Sequence, residues 1–233
     1  MSPPGRLAAG AAAGLALLLF SDTIGFGPET SAPKTLGSAT LAELVPKLPA
    51  RNVGRKGKPG DPLNLVFVGS AEALEAALPK AGWTRIPLWV PASVRAGLGE
   101  LLRGRMFRSF PPMNLYTLDG RYQDYNWSKP ITPMAQRHHF RLWRSGWKDE
   151  QGRDVWWGSA NLDVDIRYWN LSHIPDPDMP AERTEIAKTL EGSRWVASSV
   201  LLPALQVPRE GANDKGYPFR TDGKVLVVTL KNN

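Results

Sequence analysis

Residues 137–169, "RHHFRLWRSGWKDEQGRDVWWGSANLDVDIRYW", decide how this chain folds. Two runs of alternating apolar and polar residues flank a polar turn, the pattern of a long antiparallel hairpin. A three-residue loop, Glu150-Gln151-Gly152, puts glycine at the left-handed bulge position and sets Asp149 opposite Arg153. Continued outward, this pairing places Phe140 opposite Leu162 and Leu142 opposite Ala160, so the apolar residues share a face. His139 then meets Asp163, and Arg141 meets Asn161, on the other face. A slip of one residue would scatter both sets over both faces. A bulge hosted by Gly146 would alter this register.

Working outward, "GDPLNLVFVG" at 60–69 is a short apolar run between Pro and Gly, as a buried strand requires. Ser70 offers an N-cap to "AEALEAALPKAGW", in which Ala71, Leu74, Ala77 and Leu78 recur at helical spacing. "PASVRAGLGELLRGR" predicts a second helix, and Asp119-Gly120 between aromatic runs predicts a hairpin. In "DMPAERTEIAKTLEG", Asp178 suits the N-cap, Pro180 the first turn and Gly192 the stop. "RWVASSVLLPAL" carries no clear period, and "KVLVVTL" closes the chain as a buried strand. Strands and helices do not alternate regularly. The expected fold class is therefore α+β: one domain with a mostly antiparallel or mixed sheet packed by a few helices, preceded by an N-terminal apolar helix and linker.

Upstream, residues 7–20 are uncharged and apolar, preceded by Arg6. As a helix they would reach about 21 Å at about 1.5 Å per residue, short of a hydrocarbon core of about 30 Å. Thr30-Ser31-Ala32 would suit cleavage but for Pro33 immediately after it. Residues 1–27 thus read as a signal peptide or membrane anchor, and the chain as exported or inner-membrane anchored, facing the periplasm or cell exterior. Residues 28–59 read as a Pro-rich basic linker or wrapping arm, interrupted by the amphipathic "LAELVPKL". Residues 60–233 form the folded domain.

The 233 residues carry a net charge of +7, which suits anionic partners. Much of that excess lies in "RNVGRKGK" at 51–58, where a solvated run is the ordinary explanation. The absence of cysteine excludes disulfides, thiolate metal sites and a Cys nucleophile. No phosphate-cradling GxxxxGK[ST], HExxH, GxSxG or GxGxxG occurs. What remains is a His/Asp/Arg constellation. His138 and His139 would point to opposite faces of a strand, so one metal ion cannot readily take both, and no metal or cofactor is expected. His139, Asp163, His173 and Asp176 are the candidate catalytic set, because a carboxylate beside an imidazole orients it and raises its basicity. Arg141, Arg183, His138 and Asp178 are the candidate ligand-binding residues: guanidinium forks and a helix start both favour anions. The competing explanations are structural. Asp178 works as a plain N-cap, Glu182 and Arg183 decorate a solvated helix face, and His138, aligned with Phe140 and Leu142, is a core histidine. The tryptophans Trp143, Trp156, Trp157 and Trp169 fit packing better than base stacking, and no nucleic-acid partner is expected.

The segments "GDPLNLVFVGSAEALEAALPKAGW", "RHHFRLWR" and "HIPDPDMPAER", in that order and spacing over roughly residues 60–195, resemble the C-terminal domain of LssY-type proteins. The resemblance implies a bacterial-type envelope or membrane-associated protein. In longer members this domain is attached to membrane segments, including type-2 phosphatidic acid phosphatase-like ones, and one member is associated with type I secretion. It implies no catalytic mechanism. The family pattern has a second His beside the position of His173, where this chain has Ser172.

Two functions are expected. In the first, a membrane-proximal domain binds, or binds and hydrolyses, a phosphorylated or otherwise anionic envelope metabolite or lipid head group. If it is an enzyme, it is a hydrolase using His/Asp acid–base chemistry. In the second, it is a non-catalytic interaction module serving envelope secretion, transport or lipid-phosphatase proteins. The Pro-rich elbow at 173–183 should aim His173 at the site, so that His173→Ala and Asp176→Asn abolish function at little cost in stability.

Overall fold

The computed structural model describes residues 32–103, 113–132, 135–167, 172–191 and 194–231. The N-terminal apolar stretch with its export reading, the helix stop at Gly192, and Trp169 lie outside the described residues. The arm contributes β1 (Gly37–Ser38), α1 (Leu41–Leu44), β2 (Arg51–Val53) and β3 (Pro59–Pro62). Then follow β4 (Leu65–Val68), α2 (Ala71–Lys80), β5 (Thr84–Ile86), α3 (Val90–Leu102), β6 (Thr117–Leu118), β7 (Arg121–Tyr122) and β8 (Tyr125–Pro130). The long hairpin is β9 (Arg137–Lys148) and β10 (Asp154–Arg167), followed by β11 (Ser172–Pro175) and α4 (Met179–Leu190). The chain ends in β12 (Val196–Pro203), β13 (Glu210–Ala212), β14 (Pro218–Arg220) and β15 (Lys224–Leu230).

The main sheet runs β12-β15-β4-β10-β9-β8-β5, with β11 on β10 and β1 on β9. It is mixed: β15 lies parallel to β4, whereas β10 is antiparallel to β4, β9 and β11. With its few helices, this is an α+β fold. β4 is buried on both faces because β15 and β10 flank it and both faces are covered, which explains its unbroken "LVFV".

The two faces have different covers. On one, Leu65, Phe67, Phe140, Leu142, Trp156, Ala160, Leu226 and Val228 pack with Leu74 and Leu78 of α2 and Ile186 and Leu190 of α4. Ser70 caps α2 by accepting from Ala73 N at 3.1 Å. Asp178 caps α4 by accepting from Ala181 N at 3.1 Å. On the other face, Val66, Val68, Trp143, Val155, Trp157, Val225 and Val227 pack with Leu44, Val45 and Leu48. The Pro-rich segment is therefore a wrapping arm in its described part, and the folded unit extends upstream of residue 60. Its three buried side chains contribute on the order of 5 kcal/mol before the entropy of ordering the arm is subtracted.

The hairpin turns as its sequence implies. Asp149 N donates to Arg153 O at 3.0 Å, Gly152 N donates to Asp149 O at 3.0 Å, and Gly152 has φ +75. Lys148 pairs with Asp154, but Arg144 already pairs with Trp156. Three residues of β9, Ser145–Trp147, thus stand against the single Val155. Gly146 takes φ +83, and Ser145 Oγ donates to Val155 O at 2.7 Å. This bulge corrects the expected register by two residues. Phe140 faces Ala160, His139 faces Asn161, Arg141 faces Ser159, and Asp163 faces Arg137. An even shift keeps every side chain on its face, which is why the apolar alignment survives it.

Candidate functional site

The polar half of the arm-covered face is built by strand alternation. Trp143 and Trp157 fill its apolar half. Beyond them the same parity on three adjacent strands yields three cross-strand rows. Asn126, Arg141 and Ser159 form the first, Ser128, His139 and Asn161 the second, and Pro130, Arg137 and Asp163 the third. Asn126, Ser128, Arg137, His139, Arg141, Ser159, Asn161 and Asp163 are all buried.

Asp163 is the centre of the third row. Its Oδ2 accepts from Arg137 Nε at 2.9 Å and stands 3.2 Å from His139 Nδ1 and 3.3 Å from His173 Nδ1. Neither imidazole nitrogen is aligned for a hydrogen bond there. His173 arrives because β11 pairs antiparallel with β10, setting His173 against Ile166 and Pro175 against Asp163 across a bulge. Asp176 N donates to Leu162 O at 2.7 Å and locks the elbow to β10.

Burial pushes the His173 imidazole down to about 4; Asp163 opposes this, and the charges of Arg137 and His139 add to it. Burial likewise lowers His139, against the pull of Asp163 and with the push of Arg141 and Arg137. Both rings are therefore neutral near pH 7, and Arg137 is the permanent counter-ion of Asp163. Burial alone would raise the Asp163 carboxyl, but His139, His173 and Arg137 together hold it well below the usual carboxylate range.

The first row has a second cation. Arg141 Nε donates to the Asn114 carbonyl at 3.1 Å, and its guanidinium lies 4.6 Å from the Tyr116 ring centroid. The nearest carboxylate oxygen, Asp61 Oδ2, is 3.9 Å from Arg141 Nη1. Asn126 Oδ1 accepts from Gln123 Nε2 at 3.0 Å, which turns its amide nitrogen the other way.

The remaining sequence candidates lie elsewhere. His138 is on the helix-covered face, where its Nδ1 meets Glu182 Oε2 at 2.6 Å and its ring packs edge-on to Trp83. Arg183 forks onto both carboxylate oxygens of Asp222 at 2.7 Å and donates to Lys224 O at 2.6 Å. Glu182 and Arg183 are both buried, not solvated decoration. Asp176 Oδ1 accepts from Asp178 N at 2.8 Å, a turn contact, and Asp178 caps its helix. The structure thus gathers His139, Asp163 and His173, with Arg141 one row away, and separates His138, Asp176, Asp178 and Arg183 from them. Trp143, Trp156 and Trp157 are core residues.

Sequence reasoning missed Arg137, Asn126 and Ser128. Each was legible as the polar phase of an alternating strand, in "RHHFR" and "YNWSKP". Asp61 sits in β3, whose Pro-Gly-Asp-Pro sequence carried no such signal. Among the described residues, no group of three or more His, Asp or Glu is arranged to hold a metal ion.

No curated protein and no solved structure matches the chain. The profile of the LssY C-terminus family does, over residues 44–225, a span that holds both sheet faces and every residue of the Asp163 cluster. The chain belongs to the LssY C-terminus family.

Proposed function

We propose that the polar half of the sheet binds a small phosphorylated or otherwise anionic envelope metabolite, with His139, Asp163 and His173 as its proton-handling groups. The observation that carries this reading is the convergence of Arg137, His139 and His173 on one buried carboxylate oxygen. Such a carboxylate favours a positive charge on either ring. Two neutral imidazoles beside it are ready to accept a proton when an incoming anion raises their basicity. With a hydrolysable ligand, one ring, protonated as the anion binds, would give that proton to the leaving group, and the other, still neutral, would take the proton of the attacking water.

The test is a panel of soluble phosphate monoesters offered to the full chain and to His173→Ala and Asp163→Asn variants, with thermal unfolding measured alongside. Binding or turnover that disappears in variants still folded supports the site. Equal behaviour of all three proteins sinks it.

We further propose that the N-terminal apolar segment brings the chain to the membrane. Among the described residues no helix is long and apolar enough to cross one. Residues 1–27 fused to a reporter active only after export should give activity outside the cytoplasm; a soluble, cytoplasmic reporter overturns this.

A second reading, an interaction module, draws on one feature. Among the described residues, β12 pairs with β15 alone along the path of the main sheet, and it exposes Val200 and Leu201. Unchanged partner capture after charge substitution at Val200 and Leu201 would remove its support.

A further inference from the structure

We infer that Asn126, Ser128 and Arg141, bordered by His139, form the seat of a tetrahedral oxyanion, the phosphate group of the ligand; this rests on the anion-binding reading above and names its subsite.

The four side chains sit at the corners of two adjacent rows, Asn126 opposite Arg141 and Ser128 opposite His139. Strand geometry sets the corners about 5 Å apart across the strands and about 7 Å apart along them. At three corners a buried polar atom has no hydrogen-bond partner in the protein, Asn126 Nδ2, Ser128 Oγ and Arg141 Nη1; at the fourth, His139 Nδ1 is turned to Asp163 Oδ2, 3.2 Å away. Asn126 and Ser128 are 0% exposed and Arg141 4%. A buried donor left unpaired costs about 1–3 kcal/mol. Three together on one sheet face are explained by an acceptor shared among them, with water in that role when no ligand is present.

The chemistry of the set selects the acceptor. Asn126 Nδ2 and Arg141 Nη1 can only donate, and Ser128 can donate. Arg141 supplies a full positive charge that its nearest carboxylate, 3.9 Å away, does not reach with a hydrogen bond. Asp61 also spends its other oxygen on Asn213 Nδ2 at 2.9 Å. A cation finds repulsion here, and a neutral ligand leaves the charge of Arg141 to the 3.9 Å contact with Asp61, which is no hydrogen bond. An oxyanion with oxygens directed at several corners satisfies donors and charge together. The Gln123 contact that turns the Asn126 amide is part of the seat, because the opposite rotamer would present an acceptor.

The seat also orders the ligand. Asp163 and His173 lie on the far side of His139, so a phosphate held by the first two rows leaves its ester substituent facing the proton-handling cluster. Phosphate from a soluble metabolite and phosphate from a lipid head group present the same oxygens to this seat.

The experiment is calorimetric titration of the full chain with inorganic phosphate, a short-chain phosphatidic acid and acetate, in buffers of different ionisation enthalpy near pH 6. Inorganic phosphate should bind, and acetate should bind more weakly by about tenfold, having fewer oxygens to share among the donors. Phosphatidic acid tighter than phosphate identifies a lipid source; the reverse identifies a soluble one. Arg141→Gln should weaken phosphate by about thirtyfold or more, and the near-isosteric Ser128→Ala by about tenfold. Arg183→Lys, outside the site, should leave the affinity unchanged. Phosphate affinity indifferent to Arg141 and Ser128 in folded variants overturns the inference. If that indifference comes with proton uptake that His173→Ala abolishes, the proton-handling reading stands without the seat. Binding that needs Arg141 and Ser128 but takes up no proton leaves the seat standing and removes that reading.

Discussion

His138 and His139 are neighbours in the chain and serve opposite faces of the sheet. His138 Nδ1 meets Glu182 Oε2 at 2.6 Å beneath α4, while His139 Nδ1 stands 3.2 Å from Asp163 Oδ2 on the arm-covered side. The first is a clamp between helix and sheet, and the second belongs to the candidate site. Substitutions at the two positions should therefore separate stability from function.

Glu182→Ala should destabilise the fold by about 2–4 kcal/mol, since it strips a partly buried imidazole of its partner and opens space under α4. Burial already raises the Glu182 carboxyl, with the His138 contact opposing that rise. Urea unfolding at pH 7 measures the loss, and phosphate affinity in the folded protein should not change. An unaltered midpoint would mean that the pair contributes nothing.

Arg183→Lys should cost about 2 kcal/mol, because an ammonium cannot reproduce the two parallel bonds to Asp222 and the third to the Lys224 carbonyl. The same denaturation experiment reads it. A variant as stable as the parent but unable to bind ligand would instead place Arg183 in the site.

Stability should fall as pH drops from 6.5 toward 4. His173 has a folded value of about 4 against an ordinary 6.5, so between these limits the unfolded chain binds the extra proton and is favoured. The loss from this group approaches about 3 kcal/mol at the lower limit, and His139, lowered for the same reason, adds to it. Above pH 6.5 the contribution is complete. Chemical denaturation at pH 7, 5.5 and 4 should show the slope, reduced in His173→Ala. A stability independent of pH across this range would contradict the burial of both rings as neutral species.

Gly158→Ala should destabilise by about 2–3 kcal/mol, the cost of overpacking. A Cβ at Gly158 would lie 2.8 Å from Leu65 Cβ and 2.9 Å from Leu142 Cδ2, on the strands that flank β10 on both sides. Thermal unfolding checks it. A neutral effect would mean that β4 and β9 can part at that point.

Local chemistry determined a good deal of this molecule from sequence alone. Alternation in "RHHFRLW" separated Phe140 and Leu142 from His139 and Arg141, and a two-residue slip could not undo it because faces repeat every two residues. Gly152 set the turn, Asp119-Gly120 the short hairpin, and Ser70 and Asp178 the helix starts, since each acts within a few residues of itself. Tertiary structure decided the rest. The three residues Ser145–Trp147 bend β9 against the single Val155 at the place where the arm pairs with it: Leu36 N donates to Gly146 O at 2.9 Å. That bend moved Asp163 from opposite His139 to opposite Arg137, and it still left one carboxylate within reach of both. Whether Arg183 would face a ligand or Asp222, and whether Glu182 would face water or His138, depended on which strand α4 came to lie upon. A side chain's partner from a distant segment leaves no periodic trace in the chain; it exists only once the sheet is assembled.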